Sequence, residues 1–138
     1  MRLAVVVTTY NRPDALAAVL DGYAAQDTND FELIIADDGS RKETRDLVTG
    51  HAKQSAFALR HVWQEDKGFR AAAIRNRALA QTNADYVIFS DGDCVPPRRF
   101  VSRHRALAFN GAPFTKINDD CAMNLDEPTL IAGLWWRS

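Results

Sequence analysis

The sequence predicts an α/β fold with a mostly parallel central sheet, and two observations carry that prediction. Four short apolar segments alternate along the chain with segments whose apolar residues recur at helical spacing. The clearest apolar segments run without polar interruption, which is typical of strands buried on both faces. The resulting order, β-α-β-α-β-α-β-α, indicates a doubly wound sheet with right-handed crossovers.

The first strand is predicted at Leu3–Val7, a run dominated by valine, and it ends at the polar segment Thr8–Arg12. Asn11 is expected to cap the following helix, because asparagine is favoured at that position, and Pro13 is tolerated in the first turn. The helix should pack one face on the sheet. That face carries Leu16, Val19, Leu20 and Tyr23.

The second strand is predicted at Phe31–Ala36, and the polar segment Asp37–Ser40 follows it. Ser40 and Glu43 have the spacing of a capping box, so a second helix should begin here. The capping box predicts that the Ser40 side chain binds a backbone amide of this helix.

The third strand is the least regular of the four and is expected at about Ala58–Trp63. The segment Asp66–Arg70 leads from it into a helix predicted from about Arg70 to Gln81. The inward face of this helix should carry Ile74, Ala78 and Leu79.

The fourth strand contains Val87–Phe89 and ends at two aspartates, Asp91 and Asp93, separated by Gly92. Side chains alternate along an extended segment, so both carboxylates can point the same way. Such a pair is costly unless a cation neutralises it, and hard oxygen ligands suit Mg²⁺ or Mn²⁺. Taken alone, the same pattern also fits a polar turn. The apolar positions within residues 100–108 predict a further helix.

The polar clusters of this chain share one property, which is that each follows a predicted strand. Open parallel sheets bind ligands outside the carboxyl ends of their strands. We therefore expect one composite site, built from loops that are distant in sequence. Its segments would be Thr8–Arg12, Asp37–Ser40, Asp66–Arg70 and Asp91–Asp93.

The composition is that of an ordinary globular domain. Seventeen basic and eighteen acidic side chains give a net charge of -1, so nothing indicates a nucleic-acid partner. Cys94 and Cys121 are too few for a disulfide framework and lack zinc-site spacing, which favours a reducing compartment. Leu3–Val7 is too short for a signal peptide or a membrane span. We expect a cytoplasmic location, with the inner face of the membrane as an alternative.

Residues 109–138 are predicted to form a loop-rich tail without a clear strand or helix period before Leu130. Trp135 and Trp136 near its end are too apolar to remain in water. They should pack on the sheet, on a partner subunit, or on a part of the protein outside this sequence. A homodimer through this tail is therefore one expectation.

The candidate site lacks the common sequence devices for holding phosphate. There is no G-x-x-x-x-G-K-[ST] and no G-x-G-x-x-G after the first strand, and no G-x-S-x-G elbow for a nucleophilic serine. What remains is the acid pair, a helix start after Gly68, and three arginines: Arg70, Arg75 and Arg77. A divalent cation with arginines can hold a diphosphate. Asp38 can accept hydrogen bonds from a base or ribose, and Tyr10 can stack on a ring.

Four motifs, taken together, resemble family 2 glycosyltransferases of the GT-A fold. They are Val-Val-Thr-Thr-Tyr-Asn-Arg (6–12), Ile-Ile-Ala-Asp-Asp-Gly-Ser (34–40), Asp-Lys-Gly-Phe-Arg-Ala-Ala-Ala-Ile-Arg-Asn (66–76) and Phe-Ser-Asp-Gly-Asp (89–93). The resemblance implies a Rossmann-like, three-layer α/β/α architecture. It also implies a nucleotide-sugar donor, most often a UDP-sugar, and inverting, metal-dependent transfer to a hydroxyl of a glycan or lipid-linked acceptor.

The resemblance also implies roles for individual residues. The nucleobase pocket would be lined by Thr8, Tyr10 and Arg12, and Asp38 would bind the base. Asp91 would contact the ribose or the metal, and Asp93 would ligate Mn²⁺ or Mg²⁺ directly. Three further residues would lie near the base, ribose or diphosphate, in no assigned order: Arg70, Arg75 and Asn76.

The resemblance divides the chain into a nucleotide-sugar-binding half, residues 1–108, and a tail, 109–138, that begins an acceptor-side region. The catalytic base of such enzymes is expected in that region. The acid pairs of the tail, Asp119-Asp120 and Asp126-Glu127, lack the aromatic and glycine neighbours of the family's base motif, so the base stays unassigned. A non-catalytic nucleotide-binding or assembly module without the acceptor half is the alternative.

Overall fold

The structure, a computed structural model, describes residues 1–109, 114–117 and 120–124. Strands and helices alternate through residue 109 in the predicted order, and two short strands follow. The elements are β1 (Leu3–Thr9), α1 (Pro13–Ala24), β2 (Glu32–Asp37), α2 (Lys42–Ala52), β3 (Ala58–Trp63), α3 (Ala71–Ala80), β4 (Tyr86–Asp91), α4 (Phe100–Phe109), β5 (Phe114–Ile117) and β6 (Asp120–Asn124).

The sheet has the order β3-β2-β1-β4-β6-β5. Strands β1 to β4 are parallel, whereas β6 is antiparallel to β4 and β5 is antiparallel to β6. This confirms the predicted mostly parallel sheet. The chain builds outward from β1 to β3 and then returns to place β4 on the other side of β1. Such a reversal leaves a crevice at the carboxyl ends of the strands, here β1 and β4.

Each face of the sheet carries its own hydrophobic core, because neighbouring side chains of a strand point to opposite faces. Val5 and Val7 face α1, α2 and α4, whereas Ala4 and Val6 face α3. The apolar faces predicted for the helices are the buried ones, including Leu16, Val19, Leu20 and Tyr23 on α1. The molecule therefore has the predicted three-layer α/β/α architecture.

Two predicted helix caps are wrong. Helix α1 is preceded by Arg12 and helix α2 by Arg41, and neither makes a side-chain capping hydrogen bond. Asn11 and Ser40 instead bond to each other's loops: the Ser40 hydroxyl accepts from the Asn11 amide at 2.7 Å. Contacts between loops have replaced the local capping contacts. Pro13 does occupy the first turn of α1, as predicted.

The tail contains two strands where the sequence predicted loops. Strand β6 pairs with β4 and thereby extends the central sheet, and β5 pairs with β6. These strands are short, and neither Phe-Thr-Lys-Ile in β5 nor Asp-Cys-Ala-Met-Asn in β6 alternates between apolar and polar residues. The prediction about Trp135 and Trp136, including a homodimer through them, lies outside the described residues. None of the helices described here is long and apolar enough to cross a membrane.

His104 of α4 lies buried against the rings of Phe100 and Tyr86. Neither ring nitrogen has a hydrogen-bond partner among the described residues. Burial, with a smaller effect of Arg103, lowers the pKa of His104 to about 4. In the unfolded chain an ordinary histidine titrates near 6.5, so between these pH values the unfolded state binds more protons. We expect the free energy of unfolding to fall as pH drops from about 6.5 to 4, by up to about 3 kcal/mol from this group.

Urea unfolding at several pH values, for the parent and a His104→Leu variant, measures that contribution. Carboxylates also titrate at the acid end of this range, so the difference between the two proteins is the informative quantity. The variant should lose less stability between pH 6.5 and 4 than the parent. Parallel pH profiles would show that His104 keeps an ordinary pKa in the folded protein.

Candidate functional site

An open cleft of about 690 Å³ lies at the carboxyl ends of the strands. This volume is in the range of small-molecule and cofactor sites. Every predicted segment of the composite site contributes to the lining. The lining residues are Thr8, Thr9, Tyr10, Arg12, Asp38, Asp66, Gly68, Phe69, Ala71, Arg75, Asp91, Gly92 and Asp93.

The acid pair lies at the end of β4 with both carboxylates exposed to the cleft. Ligand atoms of Asp91, Asp93 and Cys94 lie within 4.8 Å of one another. The Thr8 hydroxyl lies 3.2 Å from Asp91 Oδ1, to which it can donate, and an Arg75 nitrogen lies 3.7 Å from the same oxygen. Two hard carboxylates open to solvent fit Mg²⁺ or Mn²⁺, which bind through one or two carboxylates plus substrate phosphates.

Gly92 allows the acid pair to lie directly against β1. Its amide donates to the Thr8 carbonyl at 2.7 Å, and a Cβ atom at this position would lie 2.7 Å from that same oxygen. A side chain would therefore push the loop away from β1. The close approach fixes Asp91 and Asp93 relative to the central strand.

The loop that follows the acid pair is held in place by hydrogen bonds from Gln26, a buried residue just beyond α1. Its side-chain nitrogen donates to the carbonyls of Gly22 and Pro97, and its side-chain oxygen accepts from the Val101 amide. These bonds tie α1 to both the loop and the start of α4. No sequence pattern marks Gln26, since its partner Val101 is 75 residues away.

Asp38, at the end of β2, is nearly buried yet lines the cleft. One carboxylate oxygen accepts from the Gln64 side chain at 2.7 Å and the other from the Arg70 amide at 2.7 Å. A carboxylate has about four acceptor positions, so capacity remains for a ligand donor. Asp38 is thus held from two sides and retains acceptor capacity in the lining of the cleft.

Asp37 has a different, structural role, although it precedes Asp38 directly. Its side chain is fully buried, accepts from the Ser40 amide at 2.8 Å, and lies 2.8 Å from the His61 Nε2 atom. Asp37 therefore shapes the turn after β2 from within. The pattern Asp-Asp-Gly-Ser does not itself say which aspartate is outward.

Tyr10 is half exposed at the cleft and is fixed by Asp66 from the loop after β3. Its hydroxyl donates to Asp66 Oδ2 at 2.7 Å, while Asp66 Oδ1 accepts from the Gly68 amide. The Tyr10 hydrogen bond is the main cause that lowers the pKa of Asp66, and the same bond raises the pKa of Tyr10. This hydrogen bond holds the Tyr10 ring at the cleft.

The predicted cationic residues divide into two groups. Arg12 and Arg75 line the cleft; Arg12 pairs with Asp14 at 3.1 Å, and that contact is the main cause that raises the pKa of Arg12. Arg70 does not line the cleft, and its amide rather than its guanidinium contacts Asp38. Asn76, half buried on α3, also lies outside the lining.

The structure thus brings most predicted site residues to one cleft, and their ligand roles stay predictions. Gln64, which orients Asp38, was missed, and two residues of the predicted segment Asp66–Arg70 had no predicted role: Asp66, which orients Tyr10, and Phe69, which is 93% exposed at the cleft. Asp66 and Phe69 fall within the polar segment predicted after β3, and that position was their only signal. The acids Asp119, Asp126 and Glu127 of the tail lie outside the described residues.

Comparison with known proteins agrees with this architecture. The profile of the family described as Glycosyl transferase family 2 matches residues 4–112. The validoxylamine A glucosyltransferase of Streptomyces hygroscopicus subsp. jinggangensis is 33% identical over 126 residues, which is 90% of this chain and 29% of that protein. The chain therefore spans less than a third of the length of that relative.

Two solved structures are similar in fold. Residues 1–349 of Staphylococcus aureus TarS, in complex with UDP-GlcNAc, align with a TM-score of 0.71 and 26% identity, covering 80% of this chain and 32% of that chain. The mannosyltransferase PcManGT from Pyrobaculum calidifontis, in complex with GDP-Man and Mn²⁺, aligns with a TM-score of 0.75 and 22% identity, covering 96% and 46%. At that identity the second likeness concerns the fold alone, which is the GT-A fold.

Proposed function

This chain belongs to glycosyltransferase family 2, and from that membership we propose that it is the donor-binding part of an inverting, metal-dependent glycosyltransferase. The donor is a UDP-sugar, and the acceptor is a hydroxyl of a glycan or lipid-linked sugar. Residues 1–108 would form the nucleotide-sugar-binding half. The catalytic base would come from the acceptor-side region that follows.

The observation that carries this proposal is that one cleft holds both a single aspartate at one strand end and an aspartate pair at another. Asp38 lies at the end of β2 and the pair Asp91 and Asp93 at the end of β4, with β1 between them. Two strand spacings separate β2 from β4 by about 10 Å. That span suits a nucleoside diphosphate whose base is at Asp38 and whose diphosphate is at the acid pair. Tyr10, from the intervening loop, offers a ring between the two ends.

The acceptor character of the Asp38 carboxylate favours a base with a ring N–H. An ionised carboxylate only accepts hydrogen bonds, and uracil presents a ring N–H donor on its pairing edge. Thymine and guanine also present such a donor, whereas cytosine presents an acceptor there. The UDP-GlcNAc complex of the similar TarS structure supports uracil among these.

The residues at the other end of the cleft suit the leaving group. Bound Mn²⁺ or Mg²⁺ would offset negative charge on the departing diphosphate. Asp93 and Asp91 would hold the ion, and the Thr8 hydroxyl would keep the Asp91 carboxylate in place. Arg75, 3.7 Å from Asp91, adds positive charge at the same end.

Thermal unfolding with nucleoside diphosphates tests the proposal. UDP with Mn²⁺ should raise the melting temperature, since a ligand at 100 times its Kd stabilises the folded state by about 2.7 kcal/mol. CDP with Mn²⁺ should raise the melting temperature less than UDP with Mn²⁺ does. UDP without a divalent metal should raise it less than CDP with Mn²⁺ does. No shift with any diphosphate would refute the proposal. Binding without sugar transfer is what a non-catalytic nucleotide-binding module would show.

Asp38→Asn is expected to weaken UDP binding by about tenfold or more. The substitution removes a charged acceptor, and hydrogen bonds to charged groups are worth about 1.5–3 kcal/mol. Calorimetric titration with UDP measures the loss. Mn²⁺-pyrophosphate, which has no base, serves as the control ligand and should bind the variant and the parent alike. Equal losses for both ligands would mean that Asp38 maintains the cleft as a whole rather than binding the base.

A further inference from the structure

Asn11 is the one non-glycine residue with a positive φ angle among the residues that the structure describes, at 47°. Only asparagine, aspartate and glycine adopt this region readily, and a strained residue persists where its surroundings hold it. We infer that Asn11 and Ser40 form a clamp that positions Tyr10 and Asp38 for the nucleobase. This inference rests on the proposed function. Both clamp residues are positioning residues, since they act through Tyr10 and Asp38.

The clamp consists of two hydrogen bonds that run in opposite directions between two loops. The Asn11 amide donates to Ser40 Oγ at 2.7 Å, and the Arg41 amide donates to Asn11 Oδ1 at 2.8 Å. The loops belong to β1 and β2 and are about thirty residues apart in sequence. Asn11 thus uses its backbone and its side chain on the same partner loop, which holds its unusual φ angle.

Ser40 is itself fixed by contacts with the buried part of the sheet. Its amide donates to Asp37 Oδ1 at 2.8 Å, and its carbonyl accepts from Trp63 Nε1 at 3.0 Å. Asp37 is fully buried and lies 2.8 Å from His61 Nε2. The hydroxyl that receives the Asn11 amide therefore has a defined position before any ligand binds.

The clamp residues are close in sequence to the two residues that would contact the base. Tyr10 directly precedes Asn11, and Asp38 lies two residues before Ser40. A third bond, from the Asp38 amide to the Thr9 carbonyl at 3.0 Å, joins the same loops. Groups held in place before binding lose less conformational entropy on binding, so a rigid clamp increases affinity. The acid pair of β4 takes no part in these bonds, so the clamp should affect the base end of the ligand only.

Three substitutions separate the backbone role of Asn11 from its side-chain role. Asn11→Ala removes the acceptor and disfavours the positive φ angle, Asn11→Gly removes the acceptor but permits that angle, and Asn11→Asp keeps both. We expect UDP to bind about tenfold more weakly to the alanine variant and about fivefold more weakly to the glycine variant. The aspartate variant should stay within about twofold of the parent. Ser40→Ala should resemble the alanine variant.

The control ligand is again Mn²⁺-pyrophosphate, titrated into the full chain of each variant. Its affinity should match the parent in all of them, because it lacks a base. Parental UDP affinity in the glycine and Ser40→Ala variants would overturn the clamp, and so would equal losses for UDP and pyrophosphate. Failure of the parent itself to bind UDP would instead refute the proposed function and this inference with it. Should the alanine variant not fold, the glycine and aspartate variants still decide the question.

Discussion

Asp93→Ala is expected to abolish the metal-dependent part of UDP binding. Asp91 is already engaged by Thr8 and Arg75, whereas Asp93 accepts from a weak donor, the Cys94 thiol at 3.6 Å, which a cation can displace. Removing a residue that only orients a metal ligand typically lowers metal affinity about 10–100-fold. Removing a direct ligand should therefore lower it about 100-fold or more. Calorimetric titration of UDP at fixed Mn²⁺ measures the effect. The parent should lose the same affinity when the metal is chelated.

Asp21→Ala is the matched control for this experiment. Asp21 is an exposed aspartate on α1 and is absent from the cleft lining, so its removal changes the net charge equally. It should leave Mn²⁺-dependent binding within about twofold of the parent, as expected for a screened surface charge. If the Asp93 variant still bound UDP in a Mn²⁺-dependent manner at parental affinity, the acid pair would be an ordinary turn and the metal assignment would fail.

Gly39→Ala should destabilise the fold by about 3 kcal/mol or more. Gly39 has a φ angle of 99°, which residues with a side chain rarely adopt, and a Cβ atom there would lie 2.5 Å from the Asp66 Cα atom. The obstacle is backbone rather than a flexible side chain, so the loops after β2 and β3 would have to separate. Strained conformations and overpacking each cost about 1–3 kcal/mol. For a domain of this size we expect a fall in melting temperature of about 10 °C.

Gly50→Ala provides the opposite expectation in the same protein. Gly50 lies in helix α2 and is exposed, and a Cβ atom there would have no neighbour within 4 Å. Alanine is favoured over glycine in a helix by about 1 kcal/mol, so this variant should be slightly more stable than the parent. Thermal unfolding of both variants is the measurement. Similar stability of the two would show that the loops after β2 and β3 do not approach as closely as described.

Much of the fold was predictable because buried elements have recognisable patterns of apolar residues in the sequence. The uninterrupted apolar residues of β1 and β4 indicate interior strands, and their polar continuations indicate the edge where the cleft lies. Strand β3, the least regular of the four, also lies at Ala58–Trp63 as predicted. Parallel topology then brings the strand ends together, so the location of the site follows from the fold class.

The details that failed depend on contacts between distant segments. Asn11 and Ser40 satisfy local capping rules, yet each binds the other's loop, because the β1 and β2 loops meet only after the sheet has formed. The same applies to Gln64, whose position just after β3 says nothing about its bond to Asp38. Local sequence patterns therefore do not identify partners that are distant in sequence.

Strand β4 has neighbours on both sides, since it pairs with β1 along its whole length and with β6 along residues 86–89. Hydrogen exchange in interior strands requires opening of a large part of a domain, whereas loops exchange through small local fluctuations. Asp91, the last residue of β4, and Asp93, two residues beyond it, are therefore attached to an interior strand. Their separation should be insensitive to the movements by which the surrounding loops admit and release a nucleotide.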